Sequence, residues 1–301
     1  MSVIIPVFNR ENFIGEAIDS VLRCAEVGEV IIVDDGSSDK TLEICESYSK
    51  KSSIVKTFWH SSSQNLGPSA TRNLGIQKSK LSYIAFLDSD DQYSPNRFKV
   101  DKELFHSDST IDAVFSCSAE LGKQEDNSIY YGVSCEAKGK LDMLGDSLSF
   151  YKCVIRNKLI LFDTNSVTFK RKFLVKNKLF DERLFLHEDT ELWKRLLRIG
   201  RFRVGSCSDP VSFFRRHSKN SITSRDHLSK LKMWAVLMEN IDIDSLHNFE
   251  LEDAFKRICR LESETFKNVW FRRTYFYSQL LFYSLNPKKV LERTRVNYAK
   301  I

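Results

Sequence analysis

A chain of 301 residues with 42% hydrophobic and 29% charged side chains is long enough to bury a sizeable α/β core, and this balance excludes disordered and fibrous classes. Its seven cysteines (Cys24, Cys45, Cys117, Cys135, Cys153, Cys207 and Cys259) are odd in number and scattered, with no Cys-x-x-Cys pair, which argues for reduced thiols and against a disulfide framework or a zinc site. The net charge of +6 is uneven: residues 1–200 hold 27 Lys+Arg against 29 Asp+Glu and residues 201–301 hold 19 against 11, so the basic excess belongs to the last third.

Met1-Ser2-Val3 enters a strand at once, without the basic region and apolar core of a signal peptide, and no run approaches the roughly 20 apolar residues of a membrane span. A soluble or peripheral protein is expected. Val3–Val7 is predicted as the first strand, Phe8–Asn12 as a turn, and Phe13–Cys24 as an amphipathic helix with Ile14, Ala17, Ile18, Val21 and Leu22 on one face. Val30–Val33 is a second apolar strand, closed by Asp34-Asp35-Gly36-Ser37-Ser38-Asp39 and followed by a helix over Lys40–Lys50. Ile54–His60 is a third strand, and Asn65–Gly75 is a loop running into a helix. The fourth strand, Tyr83-Ile84-Ala85-Phe86-Leu87, stops abruptly at Asp88-Ser89-Asp90-Asp91. Continuous apolar runs suit strands covered on both faces, and their alternation with helices predicts a parallel, doubly wound α/β sheet.

Ligands of such sheets collect at the carboxyl edge, and here two strands deliver acids to it. Crowded carboxylates repel one another unless a cation neutralises them, and Mn²⁺ or Mg²⁺ suits oxygen ligands. Alone, Asp-x-Asp is equally a polar turn closing a strand. The intervening helix start adds Arg72 and the polar Asn65. That outlines a nucleotide site: one acid for base or ribose, one cluster for a metal, and an arginine for phosphate. No Gly-x-Gly-x-x-Gly follows the first strand and no Gly-x-x-x-x-Gly-Lys-Ser/Thr occurs, so dinucleotide oxidoreductases and P-loop enzymes lose their main support.

Beyond Pro95, Ala113–Cys117 is a further strand and Glu120–Lys140 a polar hairpin or flexible loop. Leu161–Lys170 is expected to line a cleft, with Asn165 and Ser166 as acceptor contacts. Leu192, Trp193, Leu196, Leu197 and Ile199, with Gly200 as a stop, predict a helix beginning near Asp189. An Asp there is either a cap or, where the helix dipole favours negative charge, a general base. The short strand Pro210–Phe214 leads into Arg215-Arg216-His217, which is either a diphosphate clamp, with His217 as a metal or phosphate ligand, or a solvated basic loop. From Ser224 the pattern is helical: Asp226–Asn240, Asn248–Phe266 and Val269–Leu285, with Pro287 as a break before a last basic segment. Residues 265–301 carry eight Lys and Arg against Glu292 alone, interleaved with Trp270, Phe271, Tyr277 and other aromatics. Such a surface suits anionic lipid, each cation adding about 1 kcal/mol; a nucleic-acid groove would use similar residues, and aromatics packed on the catalytic domain are the plainer alternative.

Taken together, Val3-Ile4-Ile5-Pro6-Val7-Phe8-Asn9, Val33-Asp34-Asp35-Gly36-Ser37-Ser38-Asp39, Asn65-Leu66-Gly67, Ala70-Thr71-Arg72-Asn73-Leu74-Gly75, Asp88-Ser89-Asp90-Asp91, Phe180-Asp181-Glu182, Glu188-Asp189 with Leu192-Trp193, and Phe214-Arg215-Arg216-His217 resemble the family-2 glycosyltransferases with a GT-A fold. The resemblance covers about the first three quarters of the chain. It implies a mostly parallel sheet flanked by helices in a catalytic domain over residues 1–223, divided into a nucleotide-binding half (1–92) and an acceptor half (93–223), with a helical extension over 224–301. It implies that Pro6 and Asp35 contact the base, that Asn65 and Arg72 help hold the nucleotide, and that Asp88, with Ser89, meets the ribose. Phe8 stands where this family commonly has Tyr, which keeps ring packing and loses a hydroxyl. Asp90 is the implied ligand of Mn²⁺ or Mg²⁺, Asp189 the catalytic base, and Arg215 and His217 the groups closing over the diphosphate. The implied reaction is a single inverting displacement that moves a sugar from a nucleotide-sugar, most often a UDP-sugar, to a hydroxyl of a glycan or lipid-linked acceptor in surface polysaccharide or lipopolysaccharide biosynthesis. It places the protein in the cytoplasm or peripherally on the inner face of the cytoplasmic membrane, with no nucleic-acid partner. A sugar-phosphate nucleotidyltransferase would need a Gly-rich loop where Phe8–Asn12 stands. The remaining alternative is a non-catalytic GT-A-fold binding or assembly subunit.

Overall fold

The computed structural model describes residues 1–61, 64–122, 130–144, 146–156, 163–216, 227–264, 268–283 and 287–299. The chain opens as β1 (Ser2–Val7), α1 (Ile14–Leu22), β2 (Glu29–Asp34), α2 (Thr41–Lys51), β3 (Val55–Trp59), α3 (Gly67–Lys78) and β4 (Tyr83–Phe86). There follow β5 (Gln92–Tyr93), α4 (Lys99–Ser107), β6 (Ala113–Phe115), β7 (Ser118–Glu120), β8 (Tyr130–Tyr131), α5 (Cys135–Asp142), α6 (Ser147–Arg156), β9 (Val167–Lys170) and α7 (Arg171–Lys176). The last elements are α8 (Glu188–Ile199), β10 (Phe202–Val204), β11 (Ser212–Phe214), α9 (His227–Asn240), α10 (Asn248–Glu264), α11 (Val269–Tyr283) and α12 (Pro287–Tyr298).

Seven strands form the main sheet in the order β10-β6-β9-β4-β1-β2-β3, and β9 alone runs against its neighbours β4 and β6. The alternation of side chains along a strand explains its two covers. Ile4, Ile31 and Val33 point to one apolar layer, whereas Val3, Ile5, Val30 and Ile32 point to the other. All seven are fully buried, each contributing about 1.5–3 kcal/mol by leaving water. The approach of α3 to β1 is so close that a Cβ on Gly75 would meet Ile4 Cγ2 at 2.4 Å. Because β1, β2 and β4 are parallel, they end at one edge, where Val7, Asp34 and Phe86 hand over to the loops of the site.

Two further arrangements aim residues at that edge. A smaller sheet, β5-β11-β7-β8, carries the end of β11 beside the acidic loop after β4. On the opposite side, Trp193 of α8 stacks on Phe169 at 4.9 Å and meets Phe180 edge-on at 5.7 Å, which locks the helix against the sheet. Its N-terminus, preceded by His187 in the left-handed region (φ 63), therefore faces the carboxyl edge. The helices α9, α10 and α12 enclose a third apolar cluster that includes Trp234, Leu237, Phe255, Ile258, Val290 and Leu291.

Several expectations need correction. Within Glu120–Lys140 the expected hairpin pairing is present between β7 and β8, but the stretch also enters a helix, α5, capped by Ser134, whose Oγ accepts from Ala137 N at 3.2 Å. Pro287 is a beginning as much as a break, since it opens α12, where its missing N–H costs nothing. The thiols are not all reduced, for Cys135 is bonded to Cys207 across 72 residues, while Cys24, Cys45, Cys117 and Cys259 are free. Scattered spacing conceals this pair because α5 and the turn after β10 meet only in the fold. Closing a loop of that length is worth about 4 kcal/mol on chain-entropy grounds. Cys135→Ser is therefore expected to lower the urea midpoint, with dithiothreitol lowering the parent protein to the same value and leaving the variant unchanged.

Candidate functional site

A cleft of about 750 Å³ opens at the carboxyl edge, a size suited to a small-molecule ligand. Pro6, Phe8, Asp35, Asn65, Arg72, Asp88, Ser89, Asp90 and Arg215 all line it, together with Arg10, Asp91, Phe185, Glu188 and Phe214. Asp189 follows Glu188 at the start of α8, and its charge acts on both Arg72 and Asp88. His217 lies outside the described residues.

One wall is the loop after β2. Asp34 Oδ2 accepts from the N–H groups of Gly36 and Ser37 at 3.1 and 3.0 Å, which tightens the turn. The two Asp35 oxygens accept from Leu66 N at 2.8 Å and Gly67 N at 2.9 Å, so this carboxylate joins the β2 loop to the start of α3. Gly67 has φ +88, and a Cβ there would strike the Phe185 ring at 2.6 Å, so both conformation and space call for glycine. Asn65 and the half-exposed ring of Phe8 stand at the rim.

The floor is the acidic loop, and its shape depends on residues far away in sequence. Asn165, only 3% exposed, accepts from Asp88 N at 2.8 Å and donates to Asp91 Oδ2 at 2.7 Å. Buried Arg97 fixes the Asn165 carbonyl at 3.0 Å and is itself paired with Asp101 at 2.8 Å. Asn165 is therefore a buried support of the cluster, and Ser166 is buried with its hydroxyl on the Asp163 carbonyl at 3.2 Å, which corrects their expected placement as acceptor contacts. Asp91 also accepts from Arg215 N at 2.7 Å, tying β11 to the loop. Burial, and then the charges of Asp88 and Asp90, push the Asp91 carboxyl up to about 8. Asp88 is raised as well, first by desolvation and further by Asp90, against the pull of Arg72.

Arg72 connects the floor to the far wall. Its guanidinium donates to Asp88 Oδ1 at 2.8 Å and to Glu188 Oε1 at 2.7 Å, with the side chain 7% exposed. Burial pushes the Glu188 carboxyl up to about 7, with Arg72 opposing and Asp189 adding to the rise. Asp189 accepts from Thr164 Oγ1 at 3.3 Å and from Thr190 N at 2.5 Å. Arg215 lies over the Phe13 ring at 5.0 Å and donates to Asp90 O at 3.2 Å and Glu16 Oε2 at 2.5 Å. Arg10, Phe185 and the Glu188–Arg72 pair are among the features of the cleft to which the sequence assigned no role. A cation in the first loop at the carboxyl edge was the available signal for Arg10; for the ion pair there was none, since 116 residues separate its partners.

Among the described residues no three His, Cys, Asp or Glu side chains are arranged to enclose an ion by themselves. The donor set nevertheless fits a hard cation that takes one carboxylate and completes its shell with substrate phosphates and water, because Asp90 offers oxygen beside Asp88 and Asp91, whose carboxyls are pushed up first by burial and then by the neighbouring negative charges. Residues 2–161 match the model of the family described as glycosyl transferase family 2. The chain belongs to this family. A teichoic acid biosynthesis protein of Bacillus subtilis, GgaA, is 29% identical over 265 residues, which is 83% of this chain and 55% of that protein. An uncharacterized glycosyltransferase of Rickettsia typhi is 33% identical over 202 residues, 66% of this chain and 59% of its own. The chain thus spans a little over half the length of these curated relatives. Among solved structures, S. aureus TarS in complex with UDP-GlcNAc superposes with a TM-score of 0.61 at 20% identity, over 99% of this chain and 78% of that one. The mannosyltransferase PcManGT of Pyrobaculum calidifontis, in complex with GDP-Man and Mn²⁺, gives 0.54 at 15%, over 100% and 80%. These likenesses establish the GT-A fold for this family-2 chain.

Proposed function

We propose that this chain is an inverting glycosyltransferase that moves a sugar from a nucleotide-sugar, a UDP-sugar in our reading, to a hydroxyl of a surface glycan or lipid-linked acceptor. The observation that carries the reading is the single cleft in which the β1, β2 and β4 loops meet the start of α8, with Arg72 bonded to both sides. The UDP and UDP-GlcNAc complexes of TarS support a UDP donor, and the name of GgaA supports a cell-surface polymer. In this reading Pro6, Phe8, Asp35 and Asn65 face the nucleoside, and Asp88 with Ser89 faces the ribose. Asp189 takes the proton of the acceptor hydroxyl as its oxygen attacks the anomeric carbon, and the bond from that carbon to the diphosphate breaks. In the same reading Arg215 and His217 offset the negative charge that grows on the departing group. A divalent cation, Mn²⁺ or Mg²⁺, held by Asp90 and the phosphates, would supply further positive charge there. The Mn²⁺ complex of PcManGT supports that cofactor. We assign the catalytic unit to residues 1–223, with 1–92 holding the donor and 93–223 the acceptor, and an appended helical unit to 224–301.

Screening nucleotide sugars with Mn²⁺ tests the proposal. Slow hydrolysis of one UDP-sugar, lost in Asp90→Asn, is the expected result; UDP binding with neither hydrolysis nor transfer for any sugar would instead make the chain a binding or assembly subunit.

No described helix is long and apolar enough to cross a membrane. A peripheral position on a membrane surface is supported by α11, where Trp270, Phe271 and Tyr277 are 68%, 57% and 66% exposed beside Arg273. Phe276 packs inward and Tyr275 donates to Glu262 at 3.1 Å, so the helix has an anchored side and an aromatic outer side. The Cys135–Cys207 bond stands against a strongly reducing compartment. Removing residues 265–301 would strip Val290 and Leu291 from the helical core, so substitution is the cleaner test. Trp270→Ser/Phe271→Ser/Tyr277→Ser is expected to abolish flotation with phosphatidylglycerol vesicles while the parent chain floats. Equal flotation of the two would end this part of the proposal.

A further inference from the structure

The loop between β1 and α1 holds a cation to which none of the roles above is given. Asn9 is in the left-handed region (φ 51), its N–H donates to Ser37 Oγ at 2.9 Å, and its Oδ1 accepts from Ser38 N at 2.8 Å. Arg10 N donates to Thr41 Oγ1 at 2.7 Å. The backbone beneath Arg10 is thus pinned to the loop after β2, and what can still move is the side chain, 24% exposed and lining the cleft. Its Nε reaches Asp90 Oδ2 at 3.2 Å, while Nη1 donates to the Phe8 and Asn9 carbonyls at 3.4 and 3.1 Å.

The guanidinium therefore covers the carboxylate assigned above to the cation. A divalent ion arriving at Asp90 meets a positive charge already hydrogen-bonded to its ligand, and like charges at such separations repel strongly where water is partly excluded. Displaced from Asp90, Arg10 remains at the carboxyl edge on a fixed backbone, and a nucleotide-sugar brings its own anion, the diphosphate, to that edge. A planar guanidinium is well matched to phosphate oxygens. We propose that Arg10 is an internal counter-ion of Asp90 that yields its place to the divalent cation and turns to the donor diphosphate, so that cation and donor load together. The inference rests on the assignment of Asp90 to the cation.

The test measures Mn²⁺ binding by the electron paramagnetic resonance of the free ion, using the full chain with and without UDP. Arg10→Gln is expected to bind Mn²⁺ alone several-fold tighter than the parent, because the competing charge is gone, and to bind UDP at saturating Mn²⁺ about tenfold more weakly, having lost a charge-assisted bond. Arg10→Lys, which keeps the charge but not the planar fork, should fall between. A residue that merely shapes the loop would weaken both affinities in both variants. If the parent binds Mn²⁺, Asp90→Asn does not, and Arg10→Gln matches the parent or is weaker, the counter-ion role is wrong while the Asp90 assignment stands. If the parent fails to bind Mn²⁺ with or without UDP, both are wrong.

Discussion

Asp189→Asn is expected to retain UDP binding and to lower sugar transfer at least about 100-fold, the usual contribution of a positioned general base. Binding should survive because Glu188, rather than Asp189, is the α8 residue lining the cleft, and because the Asp189 carboxylate is held by Thr164 and Thr190. The isosteric amide keeps an oxygen to accept from Thr190 N and loses the ability to take a proton. Measuring UDP affinity and acceptor-dependent turnover on the same preparation separates the two effects, and near-normal turnover would overturn the assignment. Glu188 is the rival base, being buried, cleft-lining and poised near 7. Its oxygen is engaged by Arg72 at 2.7 Å, so Glu188→Gln should cost stability more than turnover. A larger loss of turnover in Glu188→Gln than in Asp189→Asn, at equal UDP affinity, would move the base to Glu188.

Arg72→Met should produce the largest stability loss of any single change at the site, about 3–5 kcal/mol, as expected when one partner of a buried ion pair is removed. The methionine fills most of the volume but leaves Glu188 and Asp88 facing each other without their shared cation. The loss should depend on pH with a defined sign. The Glu188 carboxyl titrates near 7 in the folded chain against an ordinary 4.5, so the folded state holds this proton more tightly than the unfolded one. Its contribution to stability therefore falls as pH rises from about 4.5 to 7. Arg72 lowers that folded value, so without it the fall extends to higher pH, and the deficit of Arg72→Met against the parent should be smaller at pH 6 than at pH 8.5. Urea unfolding at the two pH values measures this, and a deficit independent of pH would mean that Glu188 keeps the same protonation state in both proteins across this range.

Secondary structure in the first hundred residues was largely legible because its signals are local. Apolar runs such as Val30–Val33 are strands whichever partner they find, and acids at their ends must surface where parallel strands stop. The helix at Asp189 was legible for the same reason: Leu192, Trp193, Leu196 and Leu197 repeat at helical spacing and all are buried. Legibility ended where contacts span the chain. Asn165 in a polar stretch resembled an acceptor contact, and only its position beneath the β4 loop makes it the support of Asp88 and Asp91. The ion pairs of Arg72 were not legible because its carboxylate partners lie 16 and 116 residues away. Cys135 and Cys207 looked unrelated until α5 and the end of β10 were brought side by side.

By itself, then, the sequence determined the α/β class, the acidic carboxyl edge and the family, since periodicity and short motifs need no knowledge of distant neighbours. Only the tertiary structure decided which charges pair: Arg72 with Asp88 and Glu188, Arg10 with Asp90, Arg215 with Glu16. The reason is that charge interactions depend on distance and burial in three dimensions, and neither quantity is written in the spacing of residues along a chain.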